Sequence, residues 1–179
     1  KSYIIVKKNS PIKDITDLRG KTFAFASYRS TSGNLLPRVI LAENGIHLSE
    51  LLDYKNYDYH DSVVKAVLRG DADAGSVRDS IEERYELKGL KVLAVSGSIP
   101  NGPLTAAPGT SDKLIQSVKQ ALLRHSPGNS DKAPALGKLD EELKYGFIEA
   151  RDEDYEGVRR IINAVPKTCG KGCHPNITF

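Results

Sequence analysis

Four groups of residues in this chain have types and spacings that could do chemistry. The sharpest is Ser30-Thr31-Ser32-Gly33, three hydroxyls and a glycine between a run of strand character and an apolar stripe of helical period. The first N–H groups of a helix lack intrahelical acceptors and the dipole there is positive, so hydroxyls at that place favour a small oxyanion. The same residues also suit a plain N-cap through Thr31 or Ser32, and spacing alone leaves both readings open. His60-Asp61 opens the next helical stretch. An imidazole there can donate to an anion and follow pH, or lie idle beside an Asp61 cap. Asp73 and Asp79 flank a small-residue strand. Asp79, at its carboxyl end, could accept from a ligand hydroxyl, amine or acidic proton, while Arg78 could pair with an anion or with Glu82 on a solvated face. The fourth group is Cys169-Gly170-Lys171-Gly172-Cys173-His174. It suits a small disulfide loop or two thiols; it is one residue longer than the Cys-x-x-Cys-His of c-type haem attachment, and His174 alone is too little for a metal site.

Catalytic patterns are thin. The sequence holds no nucleophile elbow, P-loop, dinucleotide-binding glycine fingerprint or His-Glu-x-x-His zinc motif, so no catalytic residue, no metal and no resident cofactor are expected. Composition points the same way. With 179 residues, 39% apolar and 27% charged, the chain can bury a real core. Its 26 basic against 23 acidic residues leave a charge of +3, scattered rather than striped, which argues against a nucleic-acid partner. No apolar run approaches the ~20 residues of a membrane helix. The chain has no Met, so Lys1-Ser2-Tyr3 is expected to follow a removed or longer N-terminal region. Two cysteines confined to the end of the chain permit an oxidising compartment.

Positioning such groups requires a frame, and the hydropathy pattern supplies one. Tyr3–Val6, Lys21–Ala26, Ala72–Val77 and Leu90–Val95 read as strands. Between them, Ile12, Ile15 and Leu18 recur at helical spacing, Leu35 to Ile40 form a stripe stopped by Asn44-Gly45, and Val63 to Leu68 form a face closed by Gly70. Pro37 is tolerable because it lies near a helix start. A unit opening at Tyr57 leads into the second of these helices, and Ile81–Leu87 reads as a short charged helix. Strands alternating with helices predict an α/β fold with a parallel or mixed sheet covered on both faces. Beyond Pro103, Leu114 to Leu122 give an amphipathic helix. Residues 126–135 read as an exposed loop, with further helices around Leu139–Tyr145 and Tyr155–Val165.

In this order the motifs resemble a known family. Ile12-Lys13-Asp14-Ile15-Thr16-Asp17-Leu18-Arg19-Gly20-Lys21 resembles the cross-over segment of type 2 periplasmic binding proteins. Its continuation through Phe23-Ala24-Phe25 to Ser30–Arg38 is similar to the phosphate/phosphite/phosphonate-binding branch. So are His60-Asp61-Ser62-Val63-Val64, Gly70–Gly75, Ile99-Pro100-Asn101-Gly102-Pro103, Gly146-Phe147, Asp154-Tyr155 and Val158-Arg159. The resemblance runs over residues 2 to 165 and corresponds to the second lobe and C-terminal part of such a protein, without the first lobe.

The resemblance implies a periplasmic-binding-protein-like lobe, with a mixed or parallel sheet flanked by helices and further C-terminal helices. Residues 1–20 would be the cross-over strand and linker, 21–99 the ligand-binding lobe, 100–166 the return segment and C-terminal helices, and 167–179 the Cys-containing tail. It implies capture of a small phosphorus oxyanion (phosphonate, phosphite or phosphate) by Ser30, Thr31, Ser32, His60 and Asp79. The partner would be an ABC transporter permease and the location periplasmic or otherwise extracytoplasmic. Tyr28-Arg29 departs from the family's small or Pro residues, and Arg29 could strengthen anion binding. Two alternatives stand beside this: a sensory or interaction module of the same fold with a signalling partner, and a covalent haem carrier through Cys169, Cys173 and His174. Self-association through the surface that would face a first lobe is also expected.

Overall fold

The computed structural model describes residues 1–79, 81, 89–127, 143, 145–168 and 170. The chain forms two compact units, one from Lys1–Ile99 with the chain from Glu156 onward, the other from Pro100–Tyr155. The first contains a five-stranded sheet of order β3-β2-β4-β1-β5, where β1 is Ser2–Lys7, β2 Thr22–Phe25, β3 Asp53–Asn56, β4 Ala74–Arg78 and β5 Leu90–Val95. β2 runs parallel to β3 and β4, while β1 is antiparallel to β4 and β5. Only β1 is reversed, so the carboxyl ends of the other four strands emerge along one edge.

Strict alternation gives the sheet a core on each face. Ile4, Val6, Phe23, Phe25 and Ala74 pack with Leu18, Leu41, Ile46 and Leu48 on one side. Ile5, Ala24, Ala26 and Val77 pack with Val63, Val64 and Val67 on the other. Each fully buried side chain of this size contributes about 1.5–3 kcal/mol, so both layers are needed. Helix α1 (Leu36–Glu43) supplies Leu41 to the first layer, and α2 (His60–Arg69) supplies the valines to the second. Gly70 ends α2 at φ 89°, its N–H bonding the carbonyls of Ala66 and Val67, as the sequence stop predicts. The small residues of β4 also have a cause. A Cβ on Gly75 would stand 2.6 Å from Val63 Cγ1 and 3.1 Å from the Ala24 carbonyl oxygen, so α2 lies almost directly on the central strand.

Two expectations need correction. The stretch from Ile12 to Leu18 forms only a 3-10 turn, Ile15–Leu18, entered through a capping box in which the Asp14 and Asp17 side chains each take a backbone N–H. The unit expected to open at Tyr57 begins earlier, with β3. This is an edge strand with three of its four residues exposed, so it lacks the apolar alternation that marks a half-buried strand. Pro37 sits in the first turn of α1, as its tolerance there requires, and the turn that leads into this helix is wider than an α-turn, as described below. In the second unit α3 (Asp112–Leu123) is capped by Ser111, whose side chain accepts from the Leu114 N–H. The short helix expected over 81–87, the loop over 126–135, the helix around 139–145 and the tail Cys169, Cys173 and His174 lie wholly or mostly outside the described residues. Helix α4 (Glu156–Ala164) belongs to the first unit.

Candidate functional site

The turn leaving β2 is where the sequence put its strongest signal, and its geometry is unusual. Ser30, not Thr31 or Ser32, is the N-cap: its Oγ accepts the Gly33 N–H at 3.0 Å. Thr31–Leu35 is then one π-helical turn, in which the Leu35 N–H reaches the Ser30 carbonyl at 3.0 Å, before the chain tightens into α1. A wide turn of this kind is characteristic of functional sites. It spreads the first N–H groups, and those of Thr31 and Ser32 have no acceptor among the described residues, as expected for a helix start.

The turn is held from beneath by groups that the sequence reading passed over. Gly33 is buried, and its carbonyl oxygen accepts from the Ala26 N–H at 2.7 Å and from Ser76 Oγ of β4 at 2.7 Å. Asn34, fully buried, donates from Nδ2 to the Ala26 carbonyl at 2.9 Å and to Asn56 Oδ1 at the end of β3 at 2.8 Å. Three strands thus grip one turn. Gly33 is required here by space: a Cβ would meet Ala26 Cβ at 2.4 Å and His60 Cε1 at 2.6 Å. Asn34 and Ser76 carried no periodic signal, since each is a polar residue inside an apolar run.

His60, the first residue of α2, comes to the same place. Its Nε2 lies 3.5 Å from Ser30 Oγ, and its Nδ1 is buried without a hydrogen-bond partner among the described residues. Burial lowers its pKa to about 4, the Arg78 guanidinium pushes in the same direction, and Asp61 opposes both. The ring is therefore neutral at pH 7 and carries one N–H. With the proton on Nε2 it faces the Ser30 hydroxyl, and the buried Nδ1 is an acceptor, which tolerates isolation better than a donor does.

The other expected residues divide. Thr31 and Ser32 are partly buried within the π turn. Asp79 stands just past β4, half-exposed. Asp73 lies at the opposite end of β4 and clamps Thr22, accepting from its N–H at 2.9 Å and its Oγ1 at 2.8 Å; its part is structural. Arg29 is exposed, with its guanidinium 5.2 Å above the Tyr28 ring. Among the described residues no three His, Cys, Asp or Glu side chains converge as metal ligands, and no helix is long and apolar enough to cross a membrane.

Comparison with known proteins agrees with this frame. The chain is 26% identical to the phosphate-import protein PhnD of Mycolicibacterium smegmatis, over 90% of this chain and 56% of that protein. Its fold is that of a binding protein component of an ABC phosphonate transporter from Pseudomonas aeruginosa, with a TM-score of 0.75 and 22% identity over 97% of this chain and 61% of the other. It is also that of a PhnD protein from Prochlorococcus marinus solved in complex with methylphosphonate, with a TM-score of 0.73 and 20% identity over 93% and 66%. The chain thus spans 56% to 66% of the length of these relatives. Over residues 1–155 it matches the model of the ABC transporter phosphonate periplasmic substrate-binding proteins. By that match the chain belongs to the phosphonate-binding family of periplasmic substrate-binding proteins of ABC transporters, whose members capture solutes and are not enzymes.

Proposed function

We propose that this chain binds a small phosphorus oxyanion non-covalently at the Ser30–Gly33 turn, and so serves solute capture for ABC-type uptake in the periplasm. The observation that carries the reading is the convergence of the Ser30 cap and a neutral His60, 3.5 Å apart, at a π-helical turn whose first amides are unspent. Oxyanions bind best to preorganised donors of this kind. In this reading the N–H groups and hydroxyls of Thr31 and Ser32 and the Ser30 hydroxyl donate to the phosphonyl oxygens. His60 donates from Nε2 without adding charge. Asp79, at the rim, accepts from a protonated substituent such as an amine. The binding lobe is residues 21–99.

The test is calorimetric titration with phosphate, phosphite, methylphosphonate and aminoethylphosphonate. The wild-type chain is compared with the triple variant Ser30→Ala, Thr31→Ala, Ser32→Ala and with Asp79→Asn. Saturable binding of at least one ligand, abolished in the triple variant, is the expected result. Loss of preference for aminoethylphosphonate over methylphosphonate in Asp79→Asn would assign the amine to Asp79. Flat wild-type traces for all four ligands, or binding that survives the triple substitution, would overturn the reading.

A further inference from the structure

We propose that Arg78 sets the charge selectivity of this site, so that it takes doubly ionised phosphorus oxyanions in preference to singly charged isosteres such as methanesulfonate. The inference rests on the function proposed above and names the ionic class of its ligand.

Register places the residue. β2 and β4 run parallel, with Phe23 opposite Ala74 and Ala24 opposite Gly75, so their carboxyl ends emerge side by side. Residues two apart on a strand share a face. Ser76 reaches the Gly33 carbonyl oxygen at 2.7 Å, and Arg78 is the next residue along that face, at the end of the strand where the π turn sits. Its Nε is withdrawn from solvent. Its charge is felt at His60, where it adds to burial in disfavouring the imidazolium. Asp79 falls on the alternate position, facing the other side of the sheet.

Among the described residues, the charged and titratable groups on the elements at this end of the sheet include His60 and Asp61 from α2, Asp79 next in the chain, exposed Arg29 in the loop leaving β2, and Arg38 on α1, whose guanidinium stands 5.4 Å from the Phe25 ring. His60 is neutral above about pH 5, given its value of about 4. The Arg78 guanidinium is then a fixed positive charge at the end of β4 that carries Ser76, ionised at all accessible pH. Attraction to a fixed cation grows with ligand charge. A methylphosphonate dianion therefore gains over methanesulfonate, a similar tetrahedral anion held at one charge.

The experiment titrates the chain with both ligands at about pH 5.5 and about pH 8.5, chosen to bracket the second ionisation of a phosphorus oxyanion. Wild type is compared with Arg78→Gln, Arg78→Lys and Ser30→Ala. The wild type should prefer methylphosphonate by about tenfold or more at the higher pH, the scale of one charge-assisted hydrogen bond, and by much less at the lower. Arg78→Gln should bring the high-pH ratio to within about threefold, and Arg78→Lys should keep most of it. Ser30→Ala should weaken both ligands together. Equal wild-type affinity for the two ligands at high pH, or an unchanged ratio in Arg78→Gln, overturns the proposal and leaves anion binding intact. If the wild type binds neither ligand, the underlying function falls and this inference with it. If Arg78→Gln does not fold, equal wild-type affinity for the two ligands at high pH still overturns the proposal.

Discussion

Ser76 Oγ donates to the Gly33 carbonyl oxygen at 2.7 Å, both groups being buried. This one bond ties the central strand to the turn that would hold the oxyanion. The same carbonyl also takes the Ala26 N–H, so loss of the hydroxyl leaves it half-satisfied rather than orphaned. Ser76→Ala should therefore cost only about 1 kcal/mol of stability, yet shift the turn and weaken phosphonate binding by a larger factor. Urea midpoints and calorimetric affinities on the same variant separate the two effects. An affinity unchanged by the substitution would show that the turn is positioned without Ser76.

Gly75 makes a different point about β4. An added methyl would meet Val63 Cγ1 at 2.6 Å, Val67 Cγ2 at 3.0 Å and the Ala24 carbonyl oxygen at 3.1 Å. The backbone oxygen cannot step aside as a side chain can. Gly75→Ala should destabilise by about 1–3 kcal/mol through overpacking. Val63→Ala alone should also destabilise, by opening a void. Combined, the two should be less damaging than their sum, since the new methyl enters the space vacated. Thermal or urea unfolding of the four-member cycle measures the coupling, and strict additivity would mean that α2 does not bear on Gly75.

The frame was legible in the sequence because it rests on period. Strands β1, β2, β4 and β5 are apolar or small-residue runs, and α1, α2 and α3 have clear stripes and stops. Strand β3 was not legible, because Asp53-Tyr54-Lys55-Asn56 is an edge strand with three of its four residues exposed, so its sequence lacks the apolar alternation that its pairing with β2 would otherwise reveal. The site was half legible. Hydroxyls before a helix and a histidine at the next helix start are local signals, and both fall at the carboxyl edge of the sheet. The π turn, the Ser30 cap, and the hold of Asn34 and Ser76 on Gly33 depend on which residues meet across strands, and no spacing along the chain encodes that.

The neutral state of His60 has a consequence for stability. In the folded chain its pKa is about 4, against an ordinary value of 6.5. The unfolded chain therefore binds more protons between these values, and stability must rise with pH from about 4 to about 6.5 and show no slope from this residue outside that window. A displacement of this size corresponds to at most about 3 kcal/mol. Partial exposure of the ring lowers the expected effect to the order of 2 kcal/mol. Unfolding midpoints measured across this range for wild type and His60→Gln provide the check. The variant should show a shallower slope, and parallel curves would mean that His60 titrates normally in the fold.

Arg38 is the least expected residue of the first core. It lies on α1, only 6% exposed, and its Nε has no hydrogen-bond partner among the described residues. Its guanidinium stands 5.4 Å from the Phe25 ring and 5.9 Å from the Tyr54 ring, which themselves meet edge-on. Burial pulls its pKa below the usual value, with Tyr54 opposing. Two ring faces return about 0.5–2 kcal/mol each to a desolvated cation, while desolvation of an ion without a counter-charge costs several. The stem, however, fills volume between helix and sheet. Arg38→Met keeps most of that volume and removes the buried charge, so it should leave stability within about 1 kcal/mol of wild type or raise it. Arg38→Ala removes both and should cost about 2 kcal/mol or more through the void beside Phe25 and Tyr54. Urea unfolding of the two variants distinguishes these outcomes: if Met is as damaging as Ala, the cation–π contacts outweigh desolvation and the charge itself stabilises the core.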